Sequence, residues 1–350
     1  MKIGLWGSYN YGNYGDDVMA IIFSNMIKEM GHTPCVYRLN KELASIYNIN
    51  TADTVNELFD NSSAILIGGG GMLVPGSRVR SIFRKTARSF ENDFLKFSDK
   101  MNQYMIPVFA ASIGGDGGGV NTYLPSARLK VFRNHCFKGA SVRLSSDEKL
   151  LKSLGISSEC YPDVILGVNS LLGVKNNNSE NNRIKIGLNL TGSSGHKLAV
   201  KLLELGKEFD VELVFILSHL EEYGMKYEIV PPLVENNVKI YNYRDPVDML
   251  KTIGSLDLLI SSKLHLGVSA LSLNVPFISF NGKNKTKTLF QQLGLTRYLY
   301  NSNDQARLIQ EIKQYISGEL KINYSFSETN IAKNKSLGHL SYVKKMINNL

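Results

Sequence analysis

LDLLISSKLHLGVSALSLNVPFISF, residues 256–280, puts a lysine and a histidine where one apolar run gives way to another. LDLLIS reads as a buried strand, so Lys263 and His265 fall on the first turn of the following helix. Unpaired N–H groups at a helix start, with two basic side chains beside them, suit an anion, and an imidazole there can move a proton. A lone histidine is more often structural, so its position and the neighbouring lysine carry this reading. GASVRLSSDEKLL places Arg143 at a strand's carboxyl end, before a helix that Ser145 or Ser146 would cap. A guanidinium there can grip a carboxylate or phosphate with two hydrogen bonds, or pair on the surface with Asp147 or Glu148.

The opening loop, GSYNYGNYGDDVMA at 7–20, is longer and richer in glycine than a strand-to-helix turn requires. Gly12 and Gly15 allow close backbone approach, and Asn13, Gly15 and Asp17 would line the ligand edge. Asp16 would cap the helix, and Asp16 or Asp17 offers a carboxylate base. AILIGGGGML (64–73) and ASIGGDGGG (111–119) repeat the pattern of strand followed by glycines. Each glycine carries an entropic cost on folding, so Gly69, Gly70 and their neighbours read as an edge kept bare for a ligand or an opposing domain. Neither a G-x-G-x-x-G nor a P-loop is present.

Strand and helix periods must position these groups, and they alternate throughout. Strands read at 2–6, 34–38, 64–68, 107–112 and 140–143, with helices near 16–30, 78–100 and 145–154. GVKNNNSENNR (173–183) has nothing to bury and reads as a linker, after which the alternation restarts with strands at 184–190, 211–217, 238–243, 256–261 and 276–280. The expected fold is α/β, two doubly wound Rossmann-like domains facing a cleft, with ligands at the carboxyl ends of the strands. The expected division is an N-terminal domain over 1–170, a linker at 171–183, a C-terminal domain over 184–317 and a helical tail over 318–350 that packs back across the domains.

The chain has 350 residues, 43% apolar and 20% charged, which is a globular composition with room for two cores. No apolar run approaches the roughly 20 residues of a membrane span, and KIGLW is too short for the apolar part of a signal peptide. Three scattered cysteines, Cys35, Cys136 and Cys160, argue for a reducing compartment and against a zinc site, so the cytoplasm is the expected address. The net charge of +9 suits an anionic partner. SRVRSIFRKTARSF (77–90) concentrates Arg78, Arg80, Arg84, Lys85 and Arg88 without an acid. A solvated helix face explains it slightly better than peripheral contact with the plasma membrane or a phosphate-bearing acceptor, and no nucleic-acid signature surrounds it.

Together these segments resemble the polysaccharide pyruvyl transferase family. Its glycine-asparagine-x-glycine-aspartate opening is similar to Gly12-Asn13-Tyr14-Gly15-Asp16 and its triple glycine to Gly68-Gly69-Gly70. Its valine-arginine strand end is similar to Val142-Arg143, and its basic-leucine-histidine signature to Lys263-Leu264-His265, followed by Asn274-Val275-Pro276. The resemblance runs from residue 1 to about 295 and implies the GT-B glycosyltransferase architecture. It implies transfer of the enolpyruvyl group of phosphoenolpyruvate to a sugar or lipid-linked oligosaccharide, as a pyruvate ketal, with no metal and no cofactor beyond the donor. On that basis Arg143 and Lys263 hold the donor, with Leu264, Gly12, Asn13, Gly15, Gly69 and Gly70 in the binding set. His265 is then the acid, and Asp16 or Asp17 the base. The family's usual arginine is Lys263 here, its usual aspartate after the strand-end arginine is Leu144, and Gly114-Gly115 stands where Gly-Pro is common. Lysine neutralises a phosphate but cannot bind it bidentately. A nucleotide-sugar glycosyltransferase and a non-catalytic glycan-precursor-binding relative remain the alternatives.

Overall fold

A computed structural model describes the chain except residues 76–84, 117–123, 177–182, 221–227, 229–237, 321 and 323. Its contacts divide into two units, Met1–Val164 with Lys335–Leu350, and Ile165–Asn334.

In the first unit the strands are β1 (Lys2–Trp6), β2 (Thr33–Tyr37), β3 (Asn50–Ala52), β4 (Ala64–Gly68), β5 (Val108–Ile113), β6 (Phe137–Val142) and β7 (Ser158–Cys160). They pair in the order β3-β2-β1-β4-β5-β6-β7, every pairing parallel. The helices between them are α1 (Tyr14–Glu29), α2 (Lys41–Ile46), α3 (Val55–Asp60), α4 (Lys85–Tyr104), α5 (Ser126–Phe132) and α6 (Ser145–Ser153). Ala64, Ile65, Leu66 and Ile67 of β4 are all fully buried, as expected of a central parallel strand covered on both faces. Trp6, at the end of β1, packs edge-on to Phe94 and tilted against Phe97, with centroids 4.6 and 4.8 Å away. Those rings lie on the apolar stripe of α4 and close the core over the sheet.

The second unit holds β8 (Ile184–Asn189), β9 (Val211–Leu217), β10 (Val238–Asn242), β11 (Leu258–Ser261), β12 (Phe277–Phe280) and β13 (Leu299–Tyr300), paired β10-β9-β8-β11-β12-β13 and again all parallel. Its helices are α7 (Val168–Leu171), α8 (Gly192–Glu208), α9 (Pro246–Gly254), α10 (Leu264–Ser272), α11 (Asn284–Gln292), α12 (Gln305–Ile316) and α13 (Ser327–Ser336). Asp245 caps α9 by accepting from the N–H groups of Val247 and Asp248 at 2.8 and 2.9 Å, ahead of Pro246. The last helix, α14 (Gly338–Asn348), belongs to the first unit, where it packs on β5.

Both sheets are therefore doubly wound, as their alternating periods imply. The division at Val164–Ile165 falls ahead of the polar stretch 171–183, because Val168 is buried and Asn169 bonds Ser272 within the second unit. The segment 318–350 is shared, α13 lying mostly in the second unit and α14 in the first. No described helix is long and apolar enough to cross a membrane.

Candidate functional site

In each sheet the chain reverses its direction of winding once, between β1 and β4 in the first and between β8 and β11 in the second. Crevices for ligands open at the carboxyl ends of strands at such switch points. The motif residues converge on these two places.

At the first, Gly12 turns the chain with φ +54°, and Asn13 caps α1, its Oδ1 accepting from the Gly15 N–H at 2.9 Å. Asn13, and not Asp16, is thus the cap, and the aspartates occupy the first turn of α1. Asp17 is fully buried, while Asp16 is half-buried. Tyr9 explains the first tyrosine of the loop. It is buried, and its hydroxyl donates to the Gly68 carbonyl, pinning the loop to the end of β4. The glycines of that turn are bare for internal reasons as well. A Cβ on Gly68 would lie 2.5 Å from the Tyr9 hydroxyl, and one on Gly69 (φ +73°) 2.3 Å from Met19 Sδ. A Cβ on Gly70 (φ +78°) would lie 3.6 Å from Asp16 Oδ1.

Arg143 follows β6 and is 6% exposed. Its Nη1 meets Asp163 Oδ2 at 2.8 Å, and its Nη2 donates to the Gly70 carbonyl at 3.0 Å. Its partner is therefore neither Asp147 nor Glu148, and the guanidinium ties the glycine turn to the segment after β7. The helix beyond it starts from Leu144 without a side-chain cap, so neither Ser145 nor Ser146 serves as one. Asp147, 4% exposed, accepts from the Gly115 N–H at 3.0 Å, and its Oδ2 has no hydrogen-bond partner. Burial drives the Asp147 carboxyl up to about 6, against the opposing pull of the Gly115 bond and of Arg143. Gly114 and Gly115 are small because Arg143 and Asp147 press on them: a Cβ would meet Arg143 Nε or Asp147 Oδ1 at 2.8 Å.

At the second switch point, Lys263 is the N-cap residue of α10, and its N–H donates to Ser261 Oγ at 2.9 Å. The Ser261 hydroxyl donates to Asn189 Oδ1 at 3.3 Å, and Asn189 Nδ2 donates to Glu228 Oε1 at 2.8 Å. Glu228 also accepts from the Ser218 N–H at 3.0 Å and the Ser218 hydroxyl at 2.5 Å, and it lies 3.5 Å from His219 Nδ1. Burial alone would raise the Glu228 carboxyl. Hydrogen bonds from His219, Ser218 and Asn189, with the Lys263 charge, outweigh it and hold the group at about 2. Burial lowers the Lys263 ammonium, Glu228 raises it, and Lys283 lowers it again. Lys263, Leu264 and His265 are half-buried, and no side chain caps α10. From Leu266 onward the helix is buried, with Gly267 so close to Phe277 that a Cβ would lie 2.0 Å from its ring.

Lys263, Leu264 and His265 thus share one turn, and Asp16, Gly70 and Arg143 share one edge of the other unit. Ser218, His219 and Glu228 escaped the sequence reading. A polar pair directly after the buried run VELVFIL was the available signal for the first two, and nothing in the pattern marked Glu228. In the basic stretch, Arg78, Arg80, Arg84 and the Lys85 side chain lie outside the described residues, while Arg88 is exposed on α4. Among the described residues no cluster of three or more histidines, cysteines or acids could hold a metal ion.

The family model described as polysaccharide pyruvyl transferase matches residues 13–284, most of the chain, and takes in the motif residues from Asn13 onward. The chain belongs to that family and is a transferase of polysaccharide biosynthesis. No curated protein matches by sequence. Among solved structures, UDP-GlcNAc 2-epimerase from Neisseria meningitidis bound to UDP-GlcNAc is 11% identical, with TM-score 0.60 and 100% of each chain covered. The Methanocaldococcus jannaschii UDP-GlcNAc 2-epimerase in complex with UDP-GlcNAc and UDP is 11% identical, with TM-score 0.57 and 100% of each chain covered. Anabaena HepE in complex with UDP-glucose is 11% identical, with TM-score 0.58, covering 100% of this chain and 99% of the other. At these identities the likeness is one of fold.

Proposed function

We propose that this member of the polysaccharide pyruvyl transferase family moves the enolpyruvyl group of phosphoenolpyruvate onto a sugar of a polysaccharide precursor, forming a pyruvate ketal. The observation that carries the reading is the Lys263–His265 turn at the uncapped start of α10, on the switch point of its sheet and within the matched region. The uncapped N–H groups and the Lys263 ammonium attract the donor's phosphate. His265, two residues on, delivers a proton to the donor's methylene carbon. The central carbon then accepts one sugar hydroxyl. A second hydroxyl displaces phosphate from the same carbon, and both hydroxyl protons must be taken up. Asp16 suits that task better than Asp17, which is sealed in the core. Arg143 acts from behind, holding the Gly70 turn through its pairing with Asp163.

Calorimetry with phosphoenolpyruvate and with nucleotide sugars tests the donor. Lys263→Ala should weaken donor binding by about 2 kcal/mol, the scale of a lost charge-assisted hydrogen bond, and Lys263→Arg should retain it. His265→Asn should leave donor affinity nearly intact while kcat falls roughly 100-fold. Normal turnover by His265→Asn would end its role as the acid. Binding of a nucleotide sugar through Lys263, with indifference to phosphoenolpyruvate, would transfer the site to a glycosyltransferase.

A further inference from the structure

The ionised form of Glu228 is held by several partners at once. Its side chain is 3% exposed, yet its carboxylate receives the Ser218 N–H and hydroxyl, the Asn189 amide and His219. A carboxylate so placed has lost most of its water and keeps its charge only because those donors replace it. The same hydrogen-bond chain runs on from Asn189 through the Ser261 hydroxyl to the backbone N–H of Lys263. It connects the carboxyl ends of β8 and β11, the two strands that flank the switch point, with that of β9 beside β8. Nothing about a core would require this. Apolar residues at Asn189, Ser218 and Ser261 would pack those strand ends without a buried charge to satisfy.

We propose that Glu228 is a positioning residue that fixes the Ser261–Lys263 turn through Asn189 and keeps the Lys263 ammonium charged for the donor's anion. The proposal rests on the reading that Lys263 meets the donor phosphate. Chemistry gives the arrangement its reason. An arginine stays protonated in almost any surroundings, whereas a lysine that is partly withdrawn from water gives up its proton more readily. Burial does lower Lys263, with Lys283 pushing the same way, and Glu228 is the charge that opposes them. His219 acts on the pair through its contact with Glu228, and His265 shares the turn. The carboxylate and the lysine therefore do together what a single arginine could do alone.

Trace labelling of lysines with acetic anhydride across a pH series, read by peptide mass spectrometry, measures this without any donor. Exposed Lys41 serves as the internal reference. In Glu228→Gln the labelling midpoint of Lys263 should shift to lower pH while that of Lys41 stays, and an unmoved Lys263 midpoint would overturn the proposal. Glu228→Asp, which withdraws the charge by one methylene, should give a smaller shift of the same sign. If the glutamine variant fails to fold, an aspartate midpoint equal to wild type would overturn it equally. Donor kinetics then separate the two readings. The alkaline rise in KM for phosphoenolpyruvate should move to lower pH in Glu228→Gln and vanish in Lys263→Arg. A Lys263 midpoint that shifts while that KM does not would uphold the pairing and overturn the donor reading.

Discussion

Arg143 and Lys263 are the two cations that the family resemblance assigns to the donor, and their surroundings differ in kind. Arg143 is buried, and its guanidinium is engaged by Asp163 and the Gly70 carbonyl. Lys263 is half-buried at the start of a helix without a side-chain cap, its counter-charge set back behind Asn189 and Ser218. The first edge uses charge to hold backbone in place, and the second keeps charge near where a ligand would meet it. A basic residue at a strand's carboxyl end can therefore be scaffold or receptor. What separates the cases is whether a carboxylate closes on it directly.

The contrast is sharpest in stability. Arg143→Met removes the cation paired with the buried Asp163 carboxylate and should cost about 3–5 kcal/mol in urea unfolding. Lys263→Met removes a partly desolvated cation from a less crowded place and should cost about 1 kcal/mol or less. Equal losses would dissolve the distinction.

A second test belongs to the first unit alone. Asp147 sits at about 6 in the folded protein, against 3.8 for an ordinary aspartate. Between those values the folded state keeps a proton that the unfolded chain has lost, so this group lowers stability as pH rises through that window. His339 does the reverse. Buried on α14, with Nδ1 2.8 Å from Ser141 Oγ, it is pushed down by burial to about 4 from 6.5. As pH falls through that window the unfolded chain takes up a proton that the folded state refuses, and stability falls. The two windows overlap with opposite slopes, each up to about 1.4 kcal/mol per pH unit. Relative to wild type, Asp147→Asn should lose stability more steeply on acidification from about pH 6 to about pH 4.5, and His339→Gln less steeply. Urea midpoints at both pH values measure it, and parallel profiles for all three proteins would mean that neither group titrates as described. The smallest effect concerns the cap. Asn13→Ala should lower stability by about 1 kcal/mol, seen in the same unfolding curves, and by less if Asp16 can take over the cap.

The sequence made the centre of each sheet legible and left both margins of the first sheet dark. Strands at 2–6, 64–68 and 211–217 stand where their apolar runs put them, because a central parallel strand must be apolar on both faces. Asn50–Ala52 and Ser158–Cys160 went unread. As outer strands of three residues they carry no such run. In the candidate site, Lys263 and His265 were visible because an apolar strand and an apolar helix bracket them. The pairing of Arg143 was not, since Asp163 lies 20 residues along the chain and only the fold brings the two together. Glu228 lies in a stretch of sequence with no apolar period, and its partners Asn189 and Ser218 come from two other strand ends.

One consequence of the path of the chain concerns its birth on the ribosome. The first unit takes its final helix, with buried Val343 and Ile347, from residues made after the whole of Ile165–Asn334. At about 5–20 residues per second, the nascent first unit waits on the order of ten seconds or more for that helix. Until it emerges, the face of β5 that α14 covers stays open, and the second unit can finish folding before the first.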